Sequence, residues 1–343
     1  MRRKIYQELL QWKQRSGESA LLVQGARRVG KSYIVEAFAK AEYKSYILID
    51  FNLVDQPVKE MFEHDLVDLK TFFMKLTTYY GVKLYERESL IIFDEVQLFP
   101  RARSAIKYLV ADGRYDYIET GSLISIRENV KDILIPSEED HVDMYPLDFE
   151  EFLWTNGNDT MMDFIRDCYR KKAPLGQALH RKAMDLFRQY LIVGGMPQAV
   201  NAFVKHNDFD EVDRVKRRIL NLYRDDIRKH AKGYEMKVEA IYDEIPSQMK
   251  NQNQHFKLSS LKQGARFDEY KDAMFWLSDA MIVNHCYNAT EPTFGLNLNR
   301  DRTLLKCYMG DTGLLISHAF DENGIVTGEV YKKLLLDKLE VNM

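Results

Sequence analysis

One short segment constrains the fold of this chain more than any other part of it. It reads Gly25-Ala26-Arg27-Arg28-Val29-Gly30-Lys31-Ser32 and fits the pattern G-x-x-x-x-G-K-[ST] at every fixed position. Residues 21–24 before it are an apolar run typical of a strand, and residues 32–40 after it have the apolar spacing of an amphipathic helix. A glycine-rich loop between a strand and a helix points its backbone N–H groups at phosphate oxygens. The segment therefore predicts a phosphate-binding loop in an α/β domain; the alternative is a glycine-rich turn with an incidental lysine.

Each fixed position of this loop has a chemical task. Gly25 and Gly30 are expected to take positive φ angles, which let successive N–H groups converge on the phosphates. Lys31 would reach the β- and γ-phosphates of a nucleotide, and Ser32 would supply a hydroxyl ligand for Mg²⁺. The other residues expected to line the nucleotide are Ala26, Arg27, Arg28, Val29 and Tyr33.

A second apolar run, residues 90–93, leads directly into the carboxylates of Asp94 and Glu95. Beside a phosphate loop, Asp94 would hold Mg²⁺, and Glu95 would polarise an attacking water molecule as a general base. A base for water favours a hydrolase over a small-molecule kinase, because a kinase must exclude water. Taken alone, an Asp-Glu pair at a strand end is more often a solvated terminus, and the loop upstream is what favours the functional interpretation.

Three further polar residues are candidates for positioning or sensing. Gln97 could orient the water or report the γ-phosphate, although a solvated loop glutamine fits the sequence equally well. Thr120 and Ser122 follow the apolar residues 115–118, and a hydroxyl at the tip of this strand could contact the γ-phosphate or the water. Capping of the strand end is the alternative for both hydroxyls.

Composition and charge exclude several classes of protein. Hydrophobic residues make up 45% of the 343 residues, which is enough to bury a sizeable core and excludes a mainly disordered chain. The net charge of −3 gives no global attraction to nucleic acid or anionic membranes. No apolar run approaches the ~18 residues of a membrane span, and the basic N-terminus leads into polar residues rather than a signal peptide. The 3 widely spaced cysteines are typical of a reducing compartment, so we expect a cytoplasmic protein.

Changes in periodicity divide the chain, since no linker or repeat marks a boundary. Residues 1–17 predict an N-terminal helix, and residues 18–150 alternate apolar strands with helices, the pattern of a mostly parallel sheet. Residues 151–232 predict a helical domain. Residues 233–320 predict two or three helices followed by a hairpin, the outline of a winged helix. The expected strands of the sheet lie at residues 20–23, 46–51, 90–93, 115–118 and 142–145.

Together the loop, the acidic strand and several downstream segments resemble the AAA-type P-loop ATPases, and within them a prokaryotic family with an uncharacterised C-terminal region. The segments that carry this resemblance are residues 21–32, 47–51, 91–97, 119–122, 145–152, 190–197, 222–227 and 306–315. The resemblance implies a five-stranded parallel sheet with the nucleotide at the carboxyl ends of its strands, then a helical lid and a winged helix. It also implies ATP as the nucleotide, with Mg²⁺.

The resemblance extends to the segment Gly194-Gly195-Met196-Pro197. It is similar to a Gly-x-Pro segment that packs the lid of related ATPases against the nucleotide, which makes Pro197 a candidate nucleotide contact. Glycine ending one helix and proline beginning the next explain the same residues without a nucleotide.

Two departures from the family pattern matter. Residues 137–140 stand where family members carry a Gly-Arg pair, so no arginine finger can be assigned. Arg127 is the nearest candidate, and a solvated helix arginine is the competing interpretation. Family members also continue into a nuclease-like fold, whereas residues 321–343 would be only the start of such a domain, so we expect a truncated chain.

The leading functional hypothesis is a slow, Mg²⁺-dependent ATPase whose cycle moves the lid and the winged helix. The alternatives are a P-loop kinase of a small molecule and a nucleotide-gated DNA-binding regulator. Glu95 argues against the kinase. The helix predicted over residues 267–280 has an acidic outer face with Asp268, Glu269 and Asp272, a poor reader of a major groove. A protein client of the winged helix is therefore preferred to nucleic acid; the oligomeric state stays open, and no metal site other than Mg²⁺ is predicted.

Overall fold

The structure is a computed structural model that describes residues 1–15, 17–122, 138–250, 255–291 and 295–320. The chain forms two units, and each is described separately. The N-terminal unit is Arg3–Tyr145, and the C-terminal unit is Pro146–Met343 together with Met1–Arg2.

Five parallel strands form the sheet of the N-terminal unit, in the spatial order β2-β3-β4-β1-β5. The strands are β1 (Ala20–Gln24), β2 (Ser45–Asp50), β3 (Ser89–Asp94), β4 (Asp116–Gly121) and β5 (Glu139–Asp143). The helices of this unit are α1 (Ile5–Gln14), α2 (Lys31–Glu42), α3 (Gln56–Glu60), α4 (Leu69–Tyr80) and α5 (Pro100–Asp112), with a π turn at Met61–Asp65 and a 3₁₀ turn at Val96–Leu98.

The predicted five-stranded parallel sheet is confirmed, and the last strand differs most from its expected position. The apolar run at residues 142–145 predicts this strand, whereas β5 begins three residues earlier with Glu139 and Asp140 and ends at Asp143. β5 pairs with β1 and lies at the edge of the sheet formed by the described strands. An edge strand is less enclosed than a central one, so its sequence need not be apolar. By contrast, every residue of the inner strands β3 and β4 is buried.

An aromatic cluster packs against β3 and fixes the strand that leads into Asp94. Phe62 lies edge-to-face with Phe93 of β3, with ring centroids 5.5 Å apart, and with Phe72 of α4 at 5.1 Å. Phe51 contacts Phe93 at 5.7 Å and stacks on Phe99 at 5.5 Å. Edge-to-face pairs each add about 0.5–1.5 kcal/mol beyond the area they bury. The acidic end of β3 is therefore attached to a rigid part of the core.

A buried carboxylate pair flanks β1 within the sheet. Glu119 of β4 is fully buried, and Glu139 of β5 accepts a hydrogen bond from Nη2 of the buried Arg103 at 2.8 Å. Nε2 of His141 lies 2.9 Å from the same oxygen of Glu139. Burial, reinforced by the carboxylate of Glu139, raises the pKa of Glu119 well above its ordinary value. Burial opposes ionisation of Glu139 too, but its partners Arg103 and His141 help to hold its pKa below the ordinary value. These shifts favour the neutral form of Glu119 and the ionised form of Glu139.

The C-terminal unit is mainly helical. Its helices are α6 (Phe149–Thr155), α7 (Met161–Lys171), α8 (Gln177–Val193), α9 (Pro197–His206), α10 (Phe209–His230), α11 (Glu235–Lys250), α12 (Phe267–Asp279) and α13 (Thr312–Ala319). β6 (Val283–Ala289) and β7 (Arg300–Met309) form an antiparallel hairpin after α12. Two helices and a hairpin match the predicted elements, but the winged-helix assignment itself stays a prediction. Among the described helices, none has both the length and the apolar character needed to cross a membrane.

A buried aspartate fixes the turn between α8 and α9. Asp311 accepts a hydrogen bond from the N–H of Gly195 at 2.6 Å and caps α13 by accepting one from Leu314 at 2.8 Å. A Cβ on Gly194 would lie 2.3 Å from Asp311, and one on Gly195 would lie 2.0 Å from the carbonyl oxygen of Leu147. The packing of this unit therefore requires both glycines without reference to a nucleotide.

Near the same turn, the ammonium of Lys216 is buried and donates to the carbonyl oxygen of Ile192, in the last turn of α8, at 2.8 Å. Burial lowers the pKa of Lys216 to about 8, against the opposing effect of the carboxylates of Asp213 and Asp311. A cation at a helix C-terminus also satisfies a carbonyl that the helix leaves without an internal partner.

We predict that the free energy of unfolding of Glu119→Gln, taken relative to that of wild type, increases as the pH rises. The raised pKa means that the folded state binds a proton that the unfolded state has lost, so wild-type stability falls as the pH rises above about 4.3 towards the folded pKa. The slope of this loss is about 1.4 kcal/mol per pH unit, and glutamine has no such loss. Urea unfolding midpoints at about pH 5 and about pH 8 measure the difference. Glu86→Gln on the surface is the control, and a difference from wild type that does not change with pH would contradict the prediction.

We predict that Gly195→Ala lowers the free energy of unfolding by at least about 2 kcal/mol, because the new Cβ would overlap a backbone oxygen that cannot rotate away. Gly157→Ala is the control for a glycine in open space, since Gly157 has a φ of 69° but no atom lies within 4 Å of the position that its Cβ would take. This control carries a backbone strain that Gly195, which has no positive φ, does not, and it should still cost only about 1 kcal/mol. Equal losses for the two variants, measured by thermal or urea unfolding, would show that the close approach does not matter.

Candidate nucleotide site

The predicted site residues of the N-terminal unit lie at the carboxyl edge of its sheet. The phosphate loop follows β1, Asp94 is the last residue of β3, and Thr120 is the penultimate residue of β4. β4 lies between β1 and β3 in the sheet. The three strand ends therefore meet at one edge, where ligands of parallel α/β sheets bind.

The phosphate loop has left-handed backbone at two positions, and Gly25 is not one of them. Gly30 has a φ of 97° and immediately precedes α2, while Arg28 has a φ of 70°. The prediction of a positive φ at Gly25 is wrong. Glycine is required there for another reason, because a Cβ would lie 2.3 Å from the carbonyl oxygen of Met144. Close approach of two backbone segments, rather than a special dihedral angle, selects this glycine.

The side chains of the loop divide into an inner and an outer set. Ala26 and Val29 are buried, and Arg27 and Arg28 are exposed. The ammonium of Lys31 is also buried and donates hydrogen bonds to the carbonyl oxygens of Gly25 at 2.9 Å and Ala26 at 3.1 Å. A positive charge thus lies inside the loop at the start of α2, and the helix N-terminus adds positive potential at the same place.

The two predicted Mg²⁺ ligands lie in contact. Ser32 Oγ donates a hydrogen bond to Oδ1 of Asp94 at 2.7 Å, and the hydroxyl of Thr120 donates to the same oxygen. Asp94 is buried, with 8% of its surface exposed. A carboxylate and a hydroxyl are hard oxygen donors of the kind that Mg²⁺ prefers, so the residues present fit this ion.

Glu95 continues the same group of hydrogen bonds. Its backbone has a φ of 54°, and its N–H donates to Oγ1 of Thr120 at 3.2 Å. Its side chain is half-buried and accepts a hydrogen bond at Oε2 from Nε2 of the buried Gln97. The structure therefore brings Ser32, Asp94, Thr120, Glu95 and Gln97 together in one hydrogen-bonded group.

The remaining predicted residues have different surroundings. Tyr33 lies in the first turn of α2 and is 61% exposed, and Ser122 lies one residue beyond the end of β4. Pro197 is the first residue of α9 in the C-terminal unit. Nucleotide contacts stay predictions for these three residues, as they do for the rest of the site. Arg127 and the expected start of a further domain at residues 321–343 lie outside the described part of the chain.

One supporting residue of the loop is absent from the sequence-based predictions. The buried Arg3 donates hydrogen bonds to the carbonyl oxygen of Val29 at 3.0 Å and to that of Tyr145 at 2.6 Å. It thereby connects the phosphate loop to the segment after β5. No local pattern marks this arginine, because it lies among other basic residues at the N-terminus and its partners are far away in the sequence.

Comparisons with known families agree with this geometry. Residues 17–153 match the family model described as "AAA domain", and residues 184–323 match one described as "Domain of unknown function (DUF8612)". No curated protein is significantly similar to the chain in sequence.

Among solved structures, the Walker-type ATPase PABY2304 of Pyrococcus abyssi is similar at 14% identity, over 92% of this chain and 95% of that chain, with a TM-score of 0.50. The Thermotoga maritima RuvB Holliday junction branch migration motor aligns at 10% identity over 83% of this chain and 89% of that chain, with a TM-score of 0.35. The Aeropyrum pernix Orc1 protein in complex with DNA aligns at 10% identity over 95% and 94%, with a TM-score of 0.32.

The similarity to PABY2304 supports the fold. The family match covers the phosphate loop, Asp94 at the end of β3 and Glu95 directly after it. The resemblance that the sequence indicates is thereby confirmed. Residues 17–153 therefore match the AAA domain family, and the five-stranded parallel sheet that they contain has the fold of a P-loop ATPase.

Proposed function

We propose that this protein binds ATP with Mg²⁺, hydrolyses it slowly to ADP and phosphate, and uses the cycle to switch the conformation of its C-terminal domains. The observation that carries the proposal is the hydrogen-bonded group around Asp94. The hydrogen bonds of Ser32, Thr120 and Glu95 in this group lie beside the loop at one edge of the sheet, which supports roles for Ser32 and Asp94 as Mg²⁺ ligands and for Glu95 as a base.

Binding would depend on the loop and on the start of α2. Backbone N–H groups of residues 25–32 and the ammonium of Lys31 would hold the phosphates, in exchange for the carbonyl contacts that Lys31 makes now. Ser32 and Asp94 would hold Mg²⁺. When bound, the ion would neutralise charge on the phosphate oxygens. Thr120 would keep the Asp94 carboxylate oriented through its hydroxyl.

Hydrolysis would depend on Glu95 as the group that takes a proton from water. Among the described residues, no hydrogen bond is donated to its Oε1, while Oε2 is held by Gln97. One carboxylate oxygen is thus available for a water molecule. This arrangement supports an ATPase over a small-molecule kinase, in which a base for water would waste ATP.

For the rest of the chain we propose a helical lid over residues 151–232 and a winged-helix-like domain over residues 233–320. The outer face of α12 carries the exposed carboxylates of Asp268, Glu269 and Asp272, while Tyr270, Ala273, Met274 and Leu277 are buried. An acidic face repels a phosphate backbone, so we propose a protein client rather than DNA. The cysteines are free thiols, which supports a reducing cytoplasmic setting.

We predict that Lys31→Ala abolishes measurable ATP binding while leaving the fold intact, because it removes the cation inside the phosphate loop. Titration with a fluorescent ATP analogue would measure the affinity, and far-UV circular dichroism would check the fold. Lys40→Ala is the matched control, since Lys40 is exposed on the same helix and pairs with Glu36 on the surface. Unchanged affinity in Lys31→Ala would contradict the assignment of the site.

We predict that Glu95→Gln slows ATP hydrolysis by ~10²-fold or more while leaving ATP affinity nearly unchanged, because the amide cannot accept the proton of water. Lys31, Ser32 and Asp94 would still hold the phosphates and Mg²⁺. Phosphate release measures turnover, and the fluorescent analogue measures affinity. Equal turnover in the variant and the wild type, each above background, would show that another group activates the water.

A further inference from the structure

Gln97 is a polar residue of the site whose role the proposed chemistry leaves open. Its side chain is 5% exposed and lies in the 3₁₀ turn that follows Glu95. Its Nε2 donates a hydrogen bond to Oε2 of Glu95. An ionised carboxylate only accepts hydrogen bonds, so the carboxamide must present its NH₂ group to Glu95.

The turn that carries Gln97 is fixed by its own backbone. The N–H of Leu98 donates to the carbonyl oxygen of Glu95 at 3.0 Å, and the N–H of Phe99 donates to that of Val96 at 3.1 Å. Val96 is completely buried in the aromatic core of the unit. The donor to Glu95 is therefore attached to a rigid segment, not to a mobile loop.

The backbone of Glu95 is held at the same time from the other side. Its N–H donates to Oγ1 of Thr120, whose hydroxyl in turn donates to Asp94. Glu95 has a φ of 54°, so the chain leaves the direction of β3 at this residue. Backbone and side chain of Glu95 are thus fixed by two different partners, one on β4 and one on the 3₁₀ turn.

We propose that Gln97 is a positioning residue that holds Glu95 in the orientation needed to activate water. The proposal rests on the ATP hydrolysis proposed above. A glutamate side chain at a strand end can adopt many rotamers. A hydrogen bond at Oε2 would select one of these rotamers, in which Oε1 faces the reacting water. A neutral carboxamide can do this without the strong electrostatic stabilisation of the ionised form that a lysine or arginine would add.

The competing role for Gln97 is direct contact with the water or the γ-phosphate. The two roles differ in what happens when Glu95 is removed. A residue that acts through Glu95 has no effect once the carboxylate is gone, whereas a residue that contacts water or phosphate keeps its effect. A double-mutant cycle between positions 95 and 97 separates them.

Gln97→Met is the first test variant, because methionine has a similar length and shape but no hydrogen-bond donor. We expect kcat to fall roughly 5- to 20-fold, the scale of one lost hydrogen bond in the transition state, with KM and ATP affinity unchanged. Gln97→Glu keeps the shape and replaces the donor by a second carboxylate, so kcat should fall at least as far. Leu98→Ala is the matched control on the same turn, since Leu98 is 47% exposed, and it should keep wild-type turnover.

The cycle compares the Glu95→Gln variant with the double variant that also carries Gln97→Met, and release of labelled phosphate measures kcat for each. We expect the two kcat values to differ by less than about twofold, because the partner of Gln97 is already altered in both. A further loss as large as that in the wild-type background would overturn the proposal, as would a raised KM with unchanged kcat in Gln97→Met. If the wild type hydrolyses ATP and Gln97→Met and Gln97→Glu are equally active, the role of Gln97 is overturned but the proposed hydrolysis is not. A wild-type chain that binds ATP without hydrolysing it would overturn the proposed hydrolysis together with this role.

Discussion

One carboxylate oxygen connects the ends of two strands, β3 and β4, to the start of α2. Oδ1 of Asp94 accepts hydrogen bonds from Ser32, which follows the loop after β1, and from Thr120 on β4. Because β4 lies next to β3, Thr120 near its carboxyl end reaches Asp94 from one side, while Ser32 reaches the same oxygen directly from the phosphate loop. The contact depends on the aromatic core behind β3, which fixes the strand that ends in Asp94. If the proposed hydrolysis occurs here, preorganised polar groups of this kind would not have to be reoriented during it.

The phosphate loop depends on contacts that reach it from distant parts of the chain. The backbone after β5 approaches Gly25 so closely that no side chain fits there, and Arg3 connects Val29 to the same segment. A loop with two left-handed residues, Arg28 and Gly30, would otherwise sample many conformations. The shape of the loop is therefore a property of the whole N-terminal unit and not of its eight residues alone.

Large pKa shifts in this protein mark structural positions. Burial raises the pKa of Glu119 and of Asp311 and lowers that of Lys216, and none of these groups belongs to the hydrogen-bonded group around Asp94. Two of them have partners that compensate their burial: N–H groups hold Asp311, and a carbonyl oxygen holds Lys216. Shifted pKa values are statistically enriched at active sites, but paired structural groups produce them as well.

The sequence by itself determined the parallel sheet, the phosphate loop and the acidic end of β3. Strands buried on both faces must be apolar along their length, and phosphate binding needs glycine, lysine and a hydroxyl at fixed spacing, so both leave local patterns. Only the tertiary structure decided why Gly25 is glycine, that Arg3 supports the loop, and that β5 begins with two carboxylates at the edge of the sheet. It also decided that Gln97 contacts Glu95 rather than solvent. These features depend on which distant segments become neighbours, and local patterns report burial and spacing but not the identity of a neighbour.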